Sequence, residues 1–179
     1  MKLEFDLFQV SEETLCKIAG DVESIDVIRQ LAQCPYYSVI KILINKPETT
    51  KEIRGEMYLK WQGRACFYSL LKEIVECPLD ANTIHSIMEW CQKEPDLCKP
   101  LVTQEEISLE DLKFIYATLT AGDLIKEEVI EVLSEMAERD DLDQELMQKL
   151  LNYAPEVAAQ IALNHSDVLR VDFSKRHTE

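Results

Sequence analysis

Glycine is scarce in this chain, four residues of 179, and proline reaches only six. Gly20, Gly55, Gly63 and Gly122 stand too far apart to form a phosphate-cradling loop or the turn system of an all-β protein. No run approaches eighteen consecutive apolar residues, so no membrane-spanning helix is expected. The opening Met1-Lys2-Leu3-Glu4-Phe5-Asp6 carries acid where a secretory signal carries base, which predicts a cytoplasmic protein. Cys-x-x-Cys is absent, and His85, His165 and His177 keep no zinc spacing from any cysteine pair; neither metal nor cofactor is expected. The cysteines at 16, 34, 66, 77, 91 and 98 fall mostly within apolar helical patterns, as reduced thiols do, rather than in a disulfide framework. Missing too is any alternating run long enough for a strand.

What remains is helix. Ser11 opens a helix that Gly20 closes; the next runs from Val22 to Gln33, and a short one from Tyr37 to Ile44. Thr49 with Glu52 forms a capping box for a segment reaching Glu76, broken near Gln62-Gly63. Asp80, Ser108 and Asp123 cap further helices, Asp141 with Gln144 makes another box, and Pro95 and Pro155 each begin a short helix. On these helices Ile84, Ile87, Met88 and Cys91 share one face, as do Leu112, Ile115, Tyr116 and Leu119, and Ile125, Val129, Val132 and Met136.

Three stretches repeat one phrase, a short amphipathic helix running into a Pro or Asn-His stop: residues 27–35, 39–47 and 157–165. A long capped helix followed by a short one begun by Pro occurs twice, after Leu79-Asp80 and after Leu142-Asp143. The phrase Val39-Ile40-Lys41-Ile42-Leu43-Ile44-Asn45-Lys46-Pro47 resembles the leucine-rich-repeat-variant and HEAT-like families of α-solenoids. The resemblance covers about forty residues and implies helix pairs stacked in sequence order. The expected fold is therefore all-α, a single domain over residues 1–179 made of stacked helical hairpins, an irregular solenoid of about ten helices. Whether the tail 166–179 packs or hangs loose stays open.

Charge is unevenly placed. Residues 103–145 hold fourteen acids against three bases, whereas residues 146–179 balance. Lys41, Lys46, Lys51, Arg54, Lys60 and Arg64 make a milder basic segment interleaved with Tyr58, Trp61, Phe67 and Tyr68. Such a strongly acidic chain disfavours direct nucleic-acid binding, because phosphate contact needs net Lys and Arg. A basic protein or peptide is the expected partner, steered by the acids. Tyr58, Trp61 and Arg64, on a segment of mixed polarity, are candidate contacts, with Glu127, Glu128, Glu131 and Glu135 as candidate acids. Phe67, which shares a face with Leu70, Leu71 and Ile74, belongs to the core.

Catalysis has few supports here. His85 and Cys91, six apart on one helix, point to nearly opposite sides and cannot form a dyad within it. The run Asp141 to Glu145 opens like a calcium loop but places Leu146 where that loop needs glycine. The expectation is a non-catalytic interaction module or scaffold. One alternative is an inhibitor, immunity-like or nucleic-acid-mimicking protein. A second is a HEAT-like enzyme or lyase accessory, which would need His85, Cys66 or Tyr58 to meet acids from another helix.

Overall fold

A computed structural model describes residues 9–91, 93–121 and 127–165. The chain is all-α, with eleven α-helices, one 3-10 turn and no strand among the described residues. The helices are α1 (Glu12–Asp21), α2 (Ile25–Leu31), α3 (Tyr37–Ile44), α4 (Lys51–Trp61), α5 (Phe67–Val75) and α6 (Ala81–Cys91). After the 3-10 turn Pro95–Leu97 come α7 (Cys98–Val102), α8 (Leu109–Leu119), α9 (Glu127–Ala137), α10 (Gln144–Leu151) and α11 (Pro155–Asn164). None is long and apolar enough to cross a membrane.

Local chemistry explains most boundaries. Ser11 caps α1 by accepting from Thr14 N, and Asp80 caps α6 by accepting from Thr83 N at 3.0 Å. Ser108 and Asp111 form a reciprocal capping box on α8. Three expected caps lie elsewhere. Gly20 sits inside α1, which runs on to Asp21, and its φ is not positive. Thr50, not Thr49, caps α4, because the Thr49 hydroxyl turns back to donate to Leu43 O at 2.5 Å. Asp143, not Asp141, caps α10, because Asp141 is engaged by Arg139. The break at Gln62-Gly63 is present, with Gly63 at φ +77°. The Asp123 cap, the inward Ile125 and the tail 166–179 lie outside the described residues.

The chain forms two compact units, Met1–Thr83 and Ile84–Glu179. In the first, α1 packs closely on α3, and α3 also packs on α5. Leu15, Ala19, Ile28, Val39, Ile40, Leu43, Leu70 and Ile74 are buried there without exposure. In the second, α9 packs on α7, α8, α10 and α11, around a core that includes Leu101, Leu133, Met136, Leu146 and Ile161. Neighbouring helices touch, yet the closest packing in each unit joins helices two apart, α1 with α3 and α9 with α11. A helix as short as α2, seven residues, spans only about 10 Å and leaves most of its neighbour's apolar stripe for another helix to cover.

One hydrogen-bonded turn occurs in both units, fifty-eight residues apart in sequence. In the first, Lys46 N donates to Leu43 O and Thr49 N to Lys46 O; in the second, Gln104 N donates to Leu101 O and Ile107 N to Gln104 O. The same spacing relates the caps Thr50 and Ser108 and the ion pairs Lys41–Glu73 (2.6 Å) and Lys99–Glu131 (3.1 Å). Each unit thus builds a helix, this turn and a capped helix, and ties the first helix to a later one by a lysine and a glutamate.

An arginine closes both turns. Arg54 donates to Ile44 O (3.0 Å), Lys46 O (3.1 Å) and Pro78 O (3.3 Å). Arg139 donates to Val102 O (3.0 Å) and Gln104 O (2.8 Å), the carbonyls fifty-eight residues beyond Ile44 and Lys46. Helix ends leave carbonyls without intrahelical donors, and a guanidinium with five N–H groups satisfies several at once.

Candidate functional site: an acidic helical face

Burial removes the aromatic candidates from the surface. Tyr58 is 0% exposed and packs against Phe67 with ring centroids 5.6 Å apart. Trp61 is 2% exposed and meets Tyr37 edge-on at 6.2 Å. Neither offers a partner any area; both are core. Arg64, which is exposed, lies over the Trp61 ring at 4.7 Å from its centroid.

The bases nearby are used internally too. Lys60 donates to Ala32 O and Cys34 O, and its partial burial lowers the ammonium pKa by desolvation. Lys46 donates to Gly20 O at 2.8 Å, Lys41 pairs with Glu73, and Arg54 is only 6% exposed. Desolvation also lowers the Arg54 pKa. The segment that reads as basic and aromatic is therefore a set of backbone clamps around a core. Lys46 and Lys60 supply donors that backbone carbonyls need.

The acids at the start of α9 face outward. On α9, Val129, Val132, Leu133 and Met136 are buried while Glu127, Glu128 and Glu131 are exposed. Glu131 and Glu135 share Lys99, at 3.1 and 3.8 Å. Glu127 and Glu128 make no hydrogen bond or ion pair among the described residues. Nearby, Lys113 serves Asp143 (2.8 Å), Glu110 (3.6 Å) and Glu145 (3.8 Å), and Lys149 pairs with Glu145 at 2.7 Å. The Lys113 hydrogen bond holds the Asp143 carboxyl below its usual range, as the Lys149 bond does for Glu145. Lys99, Lys113 and Lys149 thus answer five of the band's fourteen carboxylates, Glu110, Glu131, Glu135, Asp143 and Glu145, and neither Glu127 nor Glu128 is among them.

The two copies of the turn sort these acids. Fifty-eight residues before Glu131 stands Glu73, which makes the equivalent lysine pair, so Glu131 belongs to the scaffold. The positions matching Glu127 and Glu128 hold Ser69 and the buried Leu70. Comparing the copies could have found this distinction, but sequence phrases alone did not.

A second polar feature joins two helices. His85 Nδ1 lies 3.0 Å from Asp111 Oδ1, and Ser108 Oγ donates to Asp111 Oδ2 at 2.7 Å. Burial would raise the Asp111 pKa, but the bonds from His85 and Ser108 outweigh it and hold the carboxyl below its usual range. Among the sequence candidates for chemistry, His85 meets an acid from another helix. Cys66 lies just before α5.

All six cysteines are free thiols. Cys34, Cys66 and Cys77 fall in turns rather than helices, held there by packing and by backbone carbonyls that accept from the Cys34 and Cys77 thiols. No protein-family model matches the chain, and neither a curated protein nor a solved structure matches it.

Proposed function

We propose that this protein is a non-catalytic interaction module that binds a basic protein or peptide through the acidic outer face of α9, centred on Glu127 and Glu128. One observation carries the reading: the scaffold that both units share is built in the first unit without acids at these two places. Carboxylates in the first turn of a helix complement its dipole, worth about 0.3–1 kcal/mol each. That local benefit does not require a surrounding band with fourteen acids and three bases. A field of one sign raises the encounter rate with an oppositely charged partner and weakens as salt shortens the Debye length to about 10 Å at 0.1 M. The six free thiols support a reducing compartment, the cytoplasm, as the setting.

The test is binding of a fluorescent Lys- and Arg-rich peptide at low and high salt. Binding should fall with salt, weaken in the variant E127Q/E128Q, and persist in E12Q/E13Q, which removes equal charge from the first turn of α1. Equal weakening in both variants would reduce the surface to general electrostatics and sink the proposal. The inhibitor or nucleic-acid-mimic alternative predicts a different result, displacement of duplex DNA from a DNA-binding protein.

A further inference from the structure

We propose that His85 and Glu89 form a two-ligand site for a divalent transition-metal ion on the outer face of α6, with Asp111 of α8 as the positioning residue. The two lie four positions apart on one helix, so their side chains project from the same face, and both are exposed. The His85 side chain is 81% exposed and that of Asp111 only 11%. An ionised carboxylate can only accept, so in the neutral imidazole the proton sits on Nδ1 and the Nε2 lone pair points away from Asp111. A histidine that binds metal through Nε2 has this tautomer, and a carboxylate that accepts from Nδ1–H is one of the partners that fix such a ring.

Two further observations favour a cation there. The unit Ile84–Glu179 contains twenty-one acids and nine bases, a field that attracts cations and repels phosphate or other anionic ligands. In the other copy of the capped turn, the residue in the place of Asp111 is Ile53, buried in the core. The scaffold therefore forms with an apolar residue at that position; in the second unit the Asp111 carboxylate caps α8 through Oδ2 and holds the imidazole through Oδ1. An imidazole and a carboxylate suit Zn²⁺, Ni²⁺ and Cu²⁺ better than Ca²⁺ or Mg²⁺. No group of three or more His, Cys, Asp or Glu converges among the described residues, so water or a partner would complete the coordination.

The test is NMR of the full chain titrated with Ni²⁺, together with calorimetry using Zn²⁺. The His85 ring signals should broaden before those of His165, whose Nε2 is engaged with Ala137 O at 3.1 Å, and before those of His177. H85A should abolish Zn²⁺ binding, E89Q should weaken it, and D111N should weaken it by about 10–100-fold. Because Asp111 also completes the α8 capping box, the wild-type His85 signals decide the matter if D111N unfolds. First broadening at His165 or His177, or Zn²⁺ binding by E89Q equal to wild type, would overturn the proposal.

Discussion

Arg54 and Arg139 close the same turn in the two units from different surroundings. Arg54 comes from the helix that directly follows its turn, bonds three carbonyls and has no carboxylate partner in its clamp. Arg139 comes from beyond α9, bonds two carbonyls and is gripped by Asp141 at 2.8 and 2.7 Å. What the turn requires is a cationic fork over the carbonyls at a helix end. The chain meets that requirement from two unrelated positions. In the first unit the charge is sunk in the core, and in the second it lies near solvent and is balanced by an acid.

Breaking each clamp should separate the two cases. Removing a buried charged donor from several carbonyls strands them all, so R54M should cost about 3–5 kcal/mol. R139M should cost about 1–2 kcal/mol, since its bonds are only part-buried and its partner Asp141 is exposed. Denaturant unfolding followed by hydrogen exchange in each unit would measure both. Equal losses would mean that burial does not set the difference.

A second contrast lies on the helices after the turn. Gly55 on α4 and Lys113 on α8 occupy matching places, and each faces the cap of a later helix. A Cβ at Gly55 would collide with the Thr83 hydroxyl and come within 2.9 Å of Asp80 Oδ2, so the α6 cap sits directly on bare backbone. In the second unit Lys113 instead reaches Asp143, the α10 cap, at 2.8 Å. G55A should therefore destabilise by about 1–3 kcal/mol, as overpacked sites do. G20A, inside α1 with open space around its Cβ, should stabilise by about 0.5–1 kcal/mol. Melting both variants checks the pair, and a stabilising G55A would show that the α6 cap yields easily.

Much of the fold was legible in the sequence, and the places where it was not share a cause. Tyr37 to Ile44, Ser108 and Pro155 mark boundaries that the structure keeps, because apolar spacing and proline act locally. Thr49 and Asp141 read as caps because each has a rival close by, and only tertiary partners, Leu43 O and Arg139, decide between them. Tyr58 and Trp61 read as surface because Lys60 and Gln62 alternate with them, yet Lys60 is polar in order to serve carbonyls beside the core. The fifty-eight-residue recurrence escaped phrase matching because backbone hydrogen bonds carry most of it. The acidic band was visible in composition, but its division into scaffold acids and spare ones was not.

Acid should unsettle the second unit more than the first, by less than either mutation above. Asp111, Asp141, Asp143 and Glu145 have lowered pKa values in the second unit, against Glu52 and Glu73 in the first. A lowered folded pKa gives stability that is present above the unfolded value and is lost as pH falls through the folded one. The loss should thus begin below about pH 4, where free carboxylates titrate. Exchange protection measured at falling pH would check the order, and D141N should narrow the gap. Earlier loss in residues 9–83 would reverse the assignment.

The smallest effect is the most diagnostic for the acidic face. Glu73 and Glu131 hold lysines across helices, so replacing either with Gln should cost up to about 1 kcal/mol. Glu127 and Glu128 hold nothing among the described residues. Their double change to Gln loses a dipole contribution and gains relief from like-charge repulsion, leaving stability within about 0.5 kcal/mol of the parent. Thermal melts of the three variants side by side would show this ranking. A large loss from E127Q/E128Q would make these two carboxylates structural after all, and the proposed binding face would then lose the residues at its centre.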